Sequence, residues 1–388
     1  MINAPATHNP PPHAATAEVR SATWWRAWRA IAVAAERAFG ALTLIVGLAV
    51  LATIPLLQLL SLGYLLEASG RVARTGELRS GFVGLAKAAN LGRFAIAGVL
   101  LMTPLWLAAS LRDSAVLIDR DSAIARNWRI GVPLLALAIG LQFLSGCLRG
   151  GRLRDLLIPR PVKSLRLALD PSAWRVMRDR LWDYTVGLRL PHYASLGLRG
   201  FLGALAWLVI PVTLLASASR LPPPAGGPAA LLGGVLLAIV LVHLPFLQAN
   251  LAAENRFAAM FDLLQVRRQF ARAPIAHWIA LVFTLALAIP LYLLKVELIP
   301  REAAWLPSLL FVASIFPARL LAGWAVGRAV NRYRRRHWVF RWLSRLAMLP
   351  VVAIYVVIVY FTQYLSWYGV WSLYEQHAFL VPAPFLGY

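Results

Sequence analysis

Eight long apolar stretches hold almost no charge, and this constrains the chain more than any other feature. They are Ala41–Leu66, Phe94–Leu111, Ile130–Leu148, Phe201–Ser219, Ala229–Ala249, Ile275–Leu294, Trp305–Gly327 and Leu346–Val370. Each is about the length a helix needs to cross a bilayer, roughly 17–25 residues. None of the 16 acidic residues falls inside them, and of the 39 basic residues only Arg319 does. A charge at the bilayer centre costs about 2.5–3.5 kcal/mol or more, so such exclusion is what membrane burial demands. The runs are continuous and do not alternate as the strands of a membrane barrel would. The expected fold class is therefore all-α, a polytopic transmembrane bundle of about eight spans.

Composition agrees. Sixty per cent of the chain is hydrophobic and 14% charged, against about 45–50% and 25% in soluble domains. The net charge of +23 would point to nucleic acid in a soluble protein. Here the basic residues sit in short segments between apolar runs, where membrane topology places them, so no nucleic acid is expected. Cys147 is the only cysteine, which excludes an internal disulfide and any cysteine cage for a metal.

Orientation is read from the same residues. The segments after the first, third, fifth and seventh runs carry 27 Lys and Arg, and those after the second, fourth and sixth carry 7. The first set is expected to be cytoplasmic, which places both termini on the extracytoplasmic side. The C-terminal tail fits, with no Lys or Arg after Arg345 and with Tyr364, Trp367, Tyr368 and Trp371 as an aromatic belt. The N-terminal segment, with Arg20, Arg26, Arg29 and Arg37, does not fit. Either Trp24–Phe39 is an amphipathic helix lying on the outer face, or the first run, interrupted by Pro55, is not one simple helix.

The expected organisation is a disordered tail over 1–23, a four-helix half over 24–219, a Pro/Gly-rich linker over 220–228 and a second four-helix half over 229–388. Recurrent prolines suggest a duplication with parallel halves. Pro55-Leu-Leu-Gln58 matches Pro245-Phe-Leu-Gln248, and Pro104-Leu-Trp-Leu matches Pro290-Leu-Tyr-Leu. A cytoplasmic insert over 149–200 carries one clear helix start. Asp170-Pro171-Ser172 supplies an N-cap acid and a proline at the first helical position, followed by Trp174, Met177, Leu181, Tyr184 and Leu188 on one face.

The stretch from Leu62 to Leu78, LGYLLEASGRVARTGEL, resembles the GYL…R…G…L signature of an uncharacterised family of prokaryotic polytopic membrane proteins. The resemblance covers about residues 50–110. It implies an integral membrane protein and brings no catalytic residue and no substrate; the expected location is a bacterial inner (plasma) membrane.

Candidate polar sites follow from cost. A charge inside a membrane helix marks a functional site unless it is otherwise satisfied. Arg319 is expected to reach toward the cytoplasmic side and pair with Glu254, Glu67 or helix-end carbonyls, or to lie where Pro317 ends its helix. Gln58 and Gln248, with Gln142, Asn250 and Gln363, either line a polar path or join helices by hydrogen bonds. His243 and His277 lie near one edge. Such a pair can ligate haem, but no glycine opening for a macrocycle accompanies it, so no cofactor is expected. No HExxH, GxSxG, Walker or CxxC pattern occurs, so no enzyme is expected. Two functions stay open: a membrane-embedded subunit or scaffold, and a transporter or channel for a small or lipidic substrate. The partners expected are the bilayer, its anionic lipids at the basic segments and a membrane protein.

Overall fold

The computed structural model describes residues 12–293, 305–365, 369–375 and 378–381. Among them every regular element is helical. The long helices are α1 (Pro12–Thr53), α2 (Gln58–Thr75), α3 (Leu85–Ile118), α4 (Ala123–Leu148), α8 (Leu190–Ala218), α9 (Pro223–Glu254), α11 (Pro274–Leu293), α12 (Trp305–Val330) and α13 (Trp338–Leu365). Shorter ones are α5 (Leu153–Leu157), α6 (Pro161–Ala168), α7 (Pro171–Gly187), α10 (Leu263–Arg272) and α14 (Ser372–Glu375). Eight helical segments are long and apolar enough to cross a membrane, one for each run in the sequence.

The first run is not a single helix. The chain breaks over 54–57, where Leu56 takes a left-handed φ of 69°. Pro55 has no N–H to continue the ladder, and its ring clashes with the preceding turn. The apolar span therefore shifts back to Trp28–Thr53. Trp24–Phe39 is the continuous beginning of that helix and not a separate surface helix. Helical backbone begins at Pro12, inside the stretch expected to be a tail, in an alanine-rich sequence of high helix propensity.

The chain forms two compact units. One comprises residues up to Leu44 and Gly84–Met177; the other comprises Ile45–Val83 and Arg178 onward.

In the first unit α3 and α4 form a hairpin whose turn is closed by Ser122, the Oγ of which accepts the Ala125 N–H at 3.1 Å. Phe94 and Phe143 meet edge to face at 5.0 Å. The middle of α1 lies close along α3. A Cβ on Gly40 would come within 2.6 Å of the Leu85 carbonyl oxygen, and Arg93 pairs with Glu36 at 2.8 Å. Gln142 reaches from α4 to α5 and donates to the Leu156 carbonyl at 2.7 Å. Most other side chains of α3 and α4, such as Val99 and Trp106, are exposed, as lipid-facing residues must be. The N-cap of α7 forms as expected: Asp170 Oδ1 accepts the Ser172 N–H at 2.8 Å and Oδ2 accepts its hydroxyl at 2.7 Å. These bonds hold the exposed carboxyl below its ordinary range.

In the second unit α2 is the central element. It is buried along most of its length and packs on α8, α9 and α12. Small residues allow the approach, as they do between membrane helices generally. A Cβ on Gly63 of α2 would lie 1.8 Å from the Tyr193 carbonyl oxygen, and one on Gly197 of α8 would lie 1.9 Å from that of Leu59. Gly323 of α12 touches the Ser69 backbone in the same way.

A second regularity was not visible in the sequence. Helix α2 ends at Gly76 (φ 77°), followed by extended Glu77, a 3-10 turn over Leu78–Gly81 and Phe82 at φ −84°, ψ 77°. Helix α9 ends at Asn255 (φ 54°), followed by extended Arg256, a 3-10 turn over Phe257–Phe261 and Asp262 at φ −85°, ψ 74°. The same order of a left-handed helix end, an extended residue and a 3-10 turn thus occurs twice, with a turn of four residues in one case and five in the other, because glycine and asparagine both tolerate the left-handed helix end.

Candidate functional site

Arg319 lies on α12, which continues through Pro317 without ending. Prolines are tolerated in membrane helices when neighbouring helices resatisfy the freed backbone. The guanidinium is buried, with 4% of the residue exposed. Its Nη1 donates to Oε1 of Gln248 on α9. Gln248 is completely buried, and its Nε2 donates onward to the Phe379 carbonyl at 3.0 Å. The Phe379 ring stands 6.0 Å from the guanidinium carbon. An amide suits this position because it accepts on one side and donates on the other. It carries the arginine's polarity to a backbone carbonyl without placing a second charge in the membrane. The void beside the cluster, bounded by Pro245, Thr284, Ala288 and Ala322, has a volume of about 10 Å³. That is space for about one water molecule.

The expected partners of Arg319 lie elsewhere, which corrects the sequence reading. Glu67, on α2, accepts from Arg71 at 2.9 Å and from Arg74 at 3.2 Å, and meets His192 Nε2 of α8 at 3.3 Å. Only a tenth of its side chain is exposed. Burial pushes its carboxyl up, but Arg71, His192 and Arg74 together hold it below its usual range. Arg74 also donates to the Ala252 and Ala253 carbonyls at 2.9 and 3.0 Å, which caps the end of α9. Arg199 binds Asn255 through both its carbonyl and its side chain. Glu254 is taken by Arg256 at 2.5 Å and by Gln265 at 2.6 Å. Neither glutamate is free for a deep arginine, because closer cations reach them first.

The remaining candidates separate. Gln58 is buried near the start of α2. Asn250 and Gln269 are buried and exchange two hydrogen bonds, at 3.2 and 2.9 Å. Gln363 donates to the Tyr360 carbonyl within its own helix. His243 and His277 border one cavity. Trp367 and Tyr368 of the expected aromatic belt lie outside the described residues. Among the described residues no group of three or more His, Cys, Asp or Glu side chains gathers to hold a metal. Sequence reading missed His192, Arg74 and the Phe379 carbonyl. Arg74 lies two turns along the same helix as Glu67, whereas His192 adjoins it only because α2 and α8 meet, and a backbone carbonyl leaves no sequence signal at all.

These helices define the class of the chain: it is a multi-pass membrane protein. Comparison with protein-family models, with curated proteins and with solved structures gives no match.

Proposed function

We propose that the protein is a non-enzymatic subunit or scaffold embedded in a bacterial inner membrane, with both termini extracytoplasmic. One observation carries this reading. The deepest charge, Arg319, is consumed by Gln248, and the void beside it is about 10 Å³, far below the roughly 300 Å³ at which ligand pockets begin. The Glu67 cluster is likewise closed on itself by two arginines and His192. Polar groups spent in this way hold helices in register. The basic cytoplasmic segments attract anionic lipid at about 1 kcal/mol per residue near the surface and offer a face to a membrane partner, while nucleic acid is no partner. The likeness of Leu62–Leu78 to the uncharacterised prokaryotic family supports the same setting.

The test uses the double substitution Arg319→Met with Gln248→Leu. A scaffold keeps its folding and its stoichiometric membrane partner after cross-linking in native membranes. Loss of a solute flux in proteoliposomes on the same substitution, with the fold intact, would replace the scaffold by a transporter. That second reading has one observation in its favour, the break between α1 and α2 at Leu56, since discontinuous helices form transporter sites.

A further inference from the structure

We propose that the cavity between α9, α10, α11 and α13 is a binding site for an anionic phospholipid with a hydroxyl-bearing headgroup, of the phosphatidylglycerol type. The cavity has a volume of about 430 Å³, within the range of ligand sites. Its wall changes character along its depth. Val242, Phe246 and Met348 lie inside the apolar spans and offer an acyl chain a dry surface. Arg267 and Arg345 lie just outside the spans, at the level where headgroups sit, and both are exposed.

Neither arginine has a carboxylate within ion-pair distance among the described residues. Arg345 lies instead over two rings, its guanidinium carbon 5.5 Å from the Phe270 ring and 5.9 Å from that of Trp342. Two unpaired guanidinium groups above an apolar recess have the charge and shape that a phosphodiester with a hydrocarbon tail requires.

The third element is His277. It is fully buried, lines the cavity and packs 4.5 Å from the Phe246 ring. Its Nδ1 donates to the Ala273 carbonyl at 2.9 Å. A carbonyl can only accept, so Nδ1 carries a proton, and in the neutral ring Nε2 is then an acceptor. That Nε2 is buried and has no partner among the described residues. His243, in the same wall, is fixed in the same tautomer by the Ile239 carbonyl at 2.7 Å. A buried acceptor of this kind costs about 1–3 kcal/mol if unmet, and a hydroxyl on the occupant supplies the donor. Phosphate for the arginines, a hydroxyl for His277 and an acyl chain for the apolar wall are the parts of one lipid. The site depends on the membrane placement of the chain and not on the scaffold role, so either can fail alone.

The experiment uses the full chain purified in a neutral detergent, with short-chain lipids as probes and native mass spectrometry and thermal midpoint as readouts. Dioctanoyl-phosphatidylglycerol should bind at least tenfold more tightly than dioctanoyl-phosphatidylcholine and should raise the midpoint, and inorganic phosphate at equal concentration should not. Arg267→Gln with Arg345→Gln should cost at least tenfold in binding. Met348→Trp, which keeps both arginines and fills the recess, should block the lipid as well. The lipid-free midpoint of each variant is measured first, so that only folded variants are compared. Equal binding of phosphatidylcholine would reduce the site to an apolar groove and overturn the proposal. An equal response to inorganic phosphate would also overturn it, as would unchanged binding in both variants. Phosphatidylmethanol, a phosphodiester of the same charge with no headgroup hydroxyl, binding as tightly as phosphatidylglycerol would overturn the assignment of a hydroxyl-bearing headgroup.

Discussion

At the scale of single residues, Arg319 and Gln248 behave as a unit. Removing only the amide leaves a charge in the membrane interior without its acceptor. We expect Gln248→Leu to cost about 2–5 kcal/mol. Arg319→Met with Gln248→Leu together should recover most of that loss, because a well-packed apolar pair of similar volume replaces buried polar groups at little cost. Reversible unfolding of the four members of this cycle in detergent checks it; additive losses would mean that the two side chains do not depend on each other. Glu67 gives a pH dependence with a definite sign. Its carboxyl is depressed in the folded state by Arg71, His192 and Arg74. Its contribution is therefore fully present above the ordinary carboxylate value and is lost as pH falls through and below about 4.5. The thermal midpoint of the wild type should fall across that window, and Glu67→Gln should flatten the fall. An identical acid profile in the variant would remove Glu67 from the stabilising network.

At the scale of elements, the packing of α2 against its neighbours rests on close backbone approach. Gly63→Ala or Gly197→Ala would place a methyl group within 2 Å of a carbonyl oxygen, so α2 and α8 must separate. The expected loss is about 1–3 kcal/mol or more. Gly98 and Gly140 are the opposite case, since a Cβ at either meets nothing within 4 Å. Gly98→Ala or Gly140→Ala should be neutral or should stabilise by up to about 1 kcal/mol through helix propensity alone. Folded yield and unfolding midpoint of the four variants decide it; equal effects at buried and open sites would mean that α2 does not pack as described. Four residues of the Leu62–Leu78 signature thereby acquire physical roles. Gly63 admits α8, and Tyr64 donates its hydroxyl to the Val83 carbonyl at 2.9 Å. Gly70 admits the Ala252 backbone, and Gly76 supplies the left-handed end of the helix.

At the scale of the whole molecule, topology is the most direct prediction. Segments 67–93, 149–200, 250–274 and 328–345 should face the cytoplasm, because they hold 27 of the 34 Lys and Arg that lie between spans. A reporter active only outside the cytoplasm should be silent when fused at residue 165 and active in 220–228. The reverse pattern would invert the chain. The same charge distribution predicts that association with anionic vesicles weakens as ionic strength rises, since surface attraction decays over a Debye length of about 10 Å at 0.1 M salt.

The sequence by itself determined the helical class, the number of apolar spans and the start of α7 at Pro171; it left the break at Pro55 as one of two alternatives and set the first span too far along the chain. Each of these is a local matter. Hydrocarbon excludes charge residue by residue, proline removes its own N–H, and an N-cap acid binds a backbone group two positions away. Only the tertiary structure decided what each buried polar group touches. Gln248 and Arg319 stand on different helices, and the carbonyl that completes their chain belongs to Phe379. Glu67 is satisfied partly by its own helix and partly by His192 across a glycine-lined crossing. Pairing of this kind depends on which helix faces meet, and in a chain whose spans are all similarly apolar the pattern of hydrophobicity does not distinguish one face from another. The repeated turn after α2 and α9 was hidden for a related reason: the order of conformations recurs while the residue at the helix end does not, because glycine and asparagine both tolerate the left-handed end.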